Sequence, residues 1–454
     1  MANLKDTYNF LNNIGPGFCL AKWTQVTIHL ASGINHSCHH VGAHKIPLDE
    51  LAKNPNALHN TREKKQIRKE MLSGKRPAEC DYCWRIEDNT QEYSDRILKS
   101  NESWSQVDKN KIIKATGDED FYPRYVEVSF SNVCNFKCAY CGPPFSSKWT
   151  EEIKKYGPYT TSGIPYNAIK ESQIPIPERE HNPYIEAFWK WFPTAVKHMH
   201  NFRITGGEPL LSKHTFRVMQ HLLDNPQPNL EFAINSNACP PGELWDKFIS
   251  KVQQLEKTNS VKSFILYTSA ESFGKQAEYS RDGMNWRMFE VNVEKFLKNT
   301  QSHLRFMSAF NILSLPSLDY FLHFVYKLKT KYNVNDNRVL IDFAYVRHPQ
   351  FLDIKVATPK IIQRYLKSSI DYMTKHERPY GRDIHTGFDN AEIFKLNRIY
   401  QDCLSRFGKN IDVSFDRKRF GQFINLYDQR RNKSFVDTFP EYKQFLEMCR
   451  KLDV

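Results

Sequence analysis

From Pro123 onward, short apolar runs of strand character alternate with longer stretches in which apolar residues recur at three- and four-residue spacings. The strand-like runs are RYVEVSF, FRITG, LEFAINSN, SFILYTSA, LRFMSAFNI and RVLIDFAYV. This alternation predicts an α/β fold with parallel strands and helical crossovers, because two parallel neighbours need a long connection. After about residue 348 the pattern turns helical. Thr358 and Pro359 open one helix with Ile362, Leu366, Ile370 and Met373 on one face, and residues 394–407 form another that stops at Gly408. Cys403 on that face and Cys449 read as packed apolar thiols.

Upstream, WTQVTIHL reads as one strand of a hairpin. Two helices are expected between residues 46 and 77, the first marked by Leu48, Leu51 and Ala52. The second carries Ile67, Met71 and Leu72, capped by Asn60 or Thr61 and ended by Gly74. Residues 96–122, rich in Lys, Asp, Asn and Ser, read as a linker. A long segment, 148–200, interrupts the strand pattern and reads as a wrapped loop followed by an aromatic-faced helix with Phe188, Trp191 and Phe192 in its core. The expected division is therefore 1–95, linker 96–122, a strand–helix domain 123–347 carrying the 148–200 insertion, and a helical extension 348–454.

With 454 residues and 40% apolar composition, the chain has ample material for a core. It contains no apolar run of about eighteen residues, and MANLKDTYNF does not lead into an apolar segment, so a cytoplasmic protein without a membrane span is expected. The net charge of +13 is spread along the chain; short runs such as Arg430-Arg431-Asn432-Lys433 read as solvated faces, and nucleic acid is not the favoured partner. Seven of the ten cysteines fall in two groups, a distribution that suits metal or catalysis in a reducing compartment rather than a disulfide framework.

The first group is Cys134, Cys138 and Cys141, spaced C-x-x-x-C-x-x-C directly after the strand RYVEVSF. Three thiolates on a short loop can hold three irons of a cubic 4Fe-4S cluster and leave the fourth open; a zinc site is the alternative, although it would usually close four ligands. In this spacing, the chain resembles the radical S-adenosylmethionine (radical SAM) superfamily. That resemblance implies a partial (β/α)6 TIM-like barrel, with reacting groups at the C-terminal ends of its strands.

It also implies several SAM contacts. Tyr140 stands where the family packs an apolar or aromatic side chain against adenine. Gly206, Gly207 and Glu208 match the motif that holds the SAM amino group, and Asn235 and Asn237 match a polar motif near the ribose and methionyl group. Ser269 and Arg281 are candidates for the SAM carboxylate, since a guanidinium fork suits a carboxylate. Glu271 is a further candidate, for the ribose or the substrate.

The second group is Cys19, Cys38, Cys80 and Cys83. Thirteen residues separate Cys19 from Gly33 and four more separate Gly33 from Cys38, followed after a gap by the Cys80-x-x-Cys83 pair. This resembles the twitch domain, the shortened SPASM form, whose four cysteines close an auxiliary 4Fe-4S cluster, except that here the pattern precedes the core. Gly33 fits the tight turn of the hairpin. A four-cysteine zinc knot is the alternative, and His36, His39, His40 and His44 beside Cys38 read as polar loop residues. The resemblance implies reductive cleavage of SAM to a 5'-deoxyadenosyl radical, fed by a donor such as flavodoxin or ferredoxin. An oxidative or bond-forming change to a peptide or protein is the first expectation. A nucleotide, RNA or small-molecule substrate and a non-catalytic metal module are the alternatives.

Overall fold

The computed structural model describes residues 3–169, 174–379, 385–409 and 411–452. Eleven strands occur among them: β1 Gln25–His29, β2 Ile34–His36, β3 His44–Lys45, β4 Tyr125–Ser129, β5 Lys137–Cys138, β6 Asn201–Thr205, β7 Gln227–Ser236, β8 Val261–Thr268, β9 Arg281–Asp282, β10 His303–Phe310 and β11 Val339–Tyr345. All six expected barrel strands are present, as β4, β6, β7, β8, β10 and β11, and the segments between consecutive ones contain helices. No described helix is long and apolar enough to cross a membrane.

The chain divides into two compact units. One comprises Met1–Ser131, Pro175–Ala233 and Thr258–Ser263; the other comprises Asn132–Ile174, Ile234–Lys257 and Phe264–Val454. In the first unit the strands run in the order β7, β6, β4, β1, β2, β3. The hairpin read from WTQVTIHL is there: β1 pairs antiparallel with β2, and Gly33 turns the chain at φ +63°. On its other side β1 pairs in parallel with β4, which itself pairs in parallel with β6. The N-terminal segment thus extends the parallel sheet, a pairing that hairpin signals in the sequence do not encode.

Strand alternation gives this sheet two different faces. Val26, Ile28, Val126, Val128, Phe202 and Ile204 are buried on one. The other carries His29, Thr27, Glu127 and Arg203, with Glu127 accepting from Tyr125 Oη at 2.6 Å and paired to Arg203 at 3.5 Å.

Residues 96–122 differ from the expected linker. They form helices Asp95–Asn101, Ser103–Gln106 and Lys109–Ile112, and Ile97, Ile112 and Phe121 enter one core with Leu11, Phe18, Leu20, Trp23 and Met71. A polar composition hid a few apolar residues at helical spacing, enough to dock the segment. Helix Arg62–Leu72 begins as expected, with the Thr61 side chain accepting from Lys64 N, and Gly74 sits at φ +80° just beyond its end.

In the second unit, β11, β10 and β8 are parallel neighbours in that order. The region after residue 348 is helical as expected. Thr358 caps Pro359–Ile361, and Ile362, Leu366, Ile370 and Met373 are all buried. Helix Asn390–Gly408 starts with an Asp389–Glu392 capping box and ends at Gly408. Cys403 and Cys449 are fully buried, with burial pushing both thiols up to about 12. In the 148–200 insertion the expected aromatic-faced helix is present, and the segment read as a loop also carries a helix. The insertion contains helix Ser147–Tyr156, a bridge between Tyr159 and Tyr166, and helix Pro183–Ala195 with Phe188, Trp191 and Phe192 buried; its residues 170–173 lie outside those described.

Candidate functional site

In the second unit, the three-cysteine loop is held by its backbone. Cys138 lies in β5, which pairs antiparallel with β9 so that Cys138 faces Arg281 across the ladder. The loop carbonyls are bonded from several directions. Trp149 Nε1 donates to Cys138 O at 2.9 Å, Ser146 Oγ to Phe136 O at 2.6 Å and Arg431 Nη1 to Lys137 O at 2.6 Å. Tyr166 Oη lies 2.9 Å from both Ala139 O and Cys141 O, and Asn167 Nδ2 donates to Cys141 O at 2.8 Å. Cys134 N donates to Ser147 Oγ at 3.2 Å.

Such a loop is preorganised. Its polar backbone is satisfied by protein, while Cys134, Cys138 and Cys141 stay partly exposed. Burial raises the Cys138 thiol and pushes Cys141 up to about 12, with the charges of Arg281 and Arg431 pulling both the other way. Metal binding at these thiols therefore has to displace protons.

Arg281 is almost fully buried, and its fork is taken by Glu271: Nε lies 3.0 and 3.1 Å from the two carboxylate oxygens and Nη2 lies 2.5 Å from Oε2. Its remaining nitrogen, Nη1, is 3.8 Å from Cys138 Sγ. Tyr140, the candidate adenine neighbour, donates its hydroxyl to Glu271 Oε1 at 3.0 Å and lies under the Arg281 guanidinium at 5.5 Å. Tyr140, Glu271, Arg281 and Cys138 thus form one connected group. For Arg281, which the sequence offered to a SAM carboxylate, the carboxylate in contact is the chain's own.

The polar motif after β7 is also partly committed. Asn237 Nδ2 donates to Asn135 Oδ1 at 2.7 Å and its Oδ1 accepts from Cys239 N at 2.9 Å, while Asn135 Nδ2 donates to Cys239 O at 2.7 Å. This ties the strand end to the cysteine loop. Asn235 and Ser269, at the ends of β7 and β8, are partly buried.

In the first unit, Gly206 follows β6 at φ +126°, and a Cβ there would lie 2.5 Å from Ser129 Oγ and 2.9 Å from Ser131 O. The neighbouring Gly207 N donates to Ser131 O at 3.1 Å. Glu208 is buried, and its carboxylate accepts from Leu210 N at 3.1 Å, capping a short turn.

The second cysteine group comes together in the same unit. Cys19, Cys38, Cys80 and Cys83 line one cavity with Lys22 and His40. Lys22 is buried there, paired with Glu79 and held protonated by the surrounding negative groups against the cost of its burial. Ser100 Oγ approaches Cys19 Sγ at 3.8 Å and His40 N approaches Cys38 Sγ at 3.5 Å. Burial pushes Cys38 up to about 11, and Cys80 and Cys83 up to about 12.

The nearby histidines have other partners: His36 bonds His29 and Cys38 O, His40 bonds Asp95 and stacks on Tyr82, and His44 bonds Thr61. Among the described residues, no three His, Cys, Asp or Glu side chains stand at the spacing of a single-ion site.

Sequence reading missed Trp149, Tyr166, Asn167 and Arg431. The first three lie in the insertion, where only their aromatic and amide character gave a signal. Arg431 stood in a basic run read as solvated, yet its side chain is 1% exposed, and Lys433 of the same run is paired with Asp282 at 2.7 Å.

No family model matches the chain. It is 25% identical over 244 residues to the radical SAM cyclopropyl synthase TigE of Paramaledivibacter caminithermalis, a match covering 53% of this chain and 46% of that protein. The match therefore spans less than half the length of that relative. Among solved structures, Streptococcus suis SuiB bound to its precursor peptide SuiA aligns over 88% of this chain and 77% of its own, at 13% identity and a TM-score of 0.37. The maturase HydG of Carboxydothermus hydrogenoformans aligns over 99% and 97%, at 12% identity and a TM-score of 0.29. In its three-cysteine motif and in its sequence match to TigE, the chain is similar to the radical SAM enzymes. The cofactors of that class are a 4Fe-4S cluster and SAM, and the donor set fits: three partly exposed thiols on a braced loop suit a cluster with one open iron.

Proposed function

We propose that the chain is a radical SAM enzyme that acts on a peptide or protein and carries a second, auxiliary 4Fe-4S cluster. When bound, cluster and SAM together supply a 5'-deoxyadenosyl radical that abstracts hydrogen from the substrate. Cys134, Cys138 and Cys141 would hold the first cluster; Cys19, Cys38, Cys80 and Cys83 would hold the second. The Gly206-Gly207-Glu208 turn, Tyr140, Asn235, Asn237 and Ser269 are the proposed SAM contacts. Two nitrogens of Arg281 are held by Glu271, so its first role is to hold Glu271 and Tyr140 beside Cys138.

The observation that carries this reading is the braced cysteine loop. Its carbonyls are held by Trp149, Tyr166, Asn167 and Arg431, which fixes the backbone from which Cys134, Cys138 and Cys141 project. Support for the second cluster comes from the four cysteines, which line one cavity. The preference for a peptide or protein substrate rests on the twitch-like cysteine pattern.

Anaerobic reconstitution with iron and sulfide, followed by reduction in the presence of SAM, tests both sites. Wild type is expected to bind two clusters and release 5'-deoxyadenosine. Cys134→Ala should lose that product and keep the second cluster's absorbance; Cys83→Ala should lose one cluster and retain SAM cleavage. Zinc instead of iron in the Cys83-dependent site, after iron-replete anaerobic expression, would overturn the auxiliary-cluster assignment. Failure of wild type to bind any iron-sulfur cluster would overturn the function.

A further inference from the structure

Arg431 ends helix Ser414–Arg431, nearly three hundred residues from the cysteine loop in sequence, yet it bonds the loop directly through Lys137 O. Its guanidinium is buried between two rings, 4.6 Å from the centroid of Trp149 and 4.0 Å from that of Tyr427. Its other nitrogens hold Glu152, with Nε 3.1 Å from Oε2 and Nη2 3.3 Å from Oε1. Trp149, under that guanidinium, is the residue that donates to Cys138 O. Arg431 therefore touches β5 once through the backbone and once through Trp149.

The charge around the loop is unequal. Lys137 pairs with Glu152 and Asp282, Lys433 pairs with Asp282, and Arg281 pairs with Glu271. With Arg431 there are four cations for three carboxylates on this side of the loop, two of them guanidiniums that are 5% exposed or less. Buried positive charge stabilises whichever state of a cluster is more negative, and that is the reduced state.

We infer that Arg431 is a positioning residue for the cluster of Cys134, Cys138 and Cys141, setting both the shape of its loop and its reduction potential. The inference rests on the radical SAM reading above. Arg431 acts from the end of helix Ser414–Arg431, through Lys137 O and Trp149. Removing its charge makes the cluster harder to reduce. Removing the negative charge of Glu152 does the opposite, because Arg431 and Lys137 then face the loop less compensated.

Redox titration of the reconstituted protein, followed by electron paramagnetic resonance without SAM turnover, measures this. Arg431→Gln should shift the midpoint of the three-cysteine cluster downward by about 59 mV, a tenfold change for one electron. Glu152→Gln should shift it upward, and Arg431→Lys, which keeps the charge and loses the fork, should stay near wild type while releasing iron faster to a chelator. A merely structural role would lower cluster content in all three variants without shifts of opposite sign. Equal midpoints for Arg431→Gln, Glu152→Gln and wild type overturn the inference while leaving the enzyme reading intact. Absence of the cluster from wild type overturns the enzyme reading itself. Should Arg431→Gln not fold, the upward shift in Glu152→Gln decides alone.

Discussion

Replacing Tyr166 with Phe removes a single hydroxyl from the brace under the cysteine loop. That hydroxyl lies 2.9 Å from two carbonyls, of Ala139 and Cys141, but it has one hydrogen to give, so the two contacts amount to one shared donor. Cys141 O keeps its bond from Asn167 Nδ2. Ala139 O loses Tyr166, and Ala139 itself is fully buried. The expected cost is that of one orphaned buried carbonyl, about 1–3 kcal/mol, rather than two lost bonds. Ring packing against Trp149 and Phe423 is kept, so little of the change comes from apolar burial.

Urea denaturation of the metal-free protein measures the stability loss, and the rate of iron release to a chelator from the reconstituted protein measures the loop. Both should worsen, iron release by roughly five- to a hundredfold if the loop opens in proportion to the lost free energy. Asn167→Ala combined with Tyr166→Phe should cost more than the sum of the two, because both donate to Cys141 O. Stability within about 0.5 kcal/mol of wild type, with unchanged iron release, would refute the claim that Tyr166 braces the loop.

Gly206→Ala should weaken SAM binding in equilibrium dialysis and cost about 1–3 kcal/mol, since the added Cβ meets Ser129 Oγ at 2.5 Å in a left-handed backbone; normal affinity would remove the turn from the site. Glu271→Gln leaves Arg281 buried without its counter-charge, and calorimetry should show a loss of about 3–5 kcal/mol, whereas a loss below about 1 kcal/mol would mean that Arg281 finds another partner. Acid should destabilise the protein between about pH 6.5 and 4. Burial holds His36, His44 and His214 neutral down to about 4, while their unfolded values lie near 6.5, so the unfolded chain takes up protons first. Their contribution is present above that window and falls by up to about 1.4 kcal/mol per pH unit per group, less where partial exposure screens the charge, and flat urea midpoints across the window would contradict it.

Linear spacing determined much of the site. The three cysteines after β4, the double glycine after β6, the Cys80-x-x-Cys83 pair and each of the six barrel strands are local patterns, because residue spacing and strand periodicity are written within a few residues of each other. Tertiary structure decided what surrounds them. Arg281 looked like a ligand for SAM but is bonded to Glu271, ten residues away, an exchange no spacing rule announces.

The supposed linker 96–122 became part of a core because Ile97, Ile112 and Phe121 meet Leu11 and Trp23 only once the chain is folded. Arg431 sat in a run that composition marks as solvated, and a helix beginning at Ser414 carries it to Lys137 O. Long-range partners of this kind depend on which helix ends beside which loop. That is fixed by the packing of whole elements, and single residues along the sequence carry no trace of it.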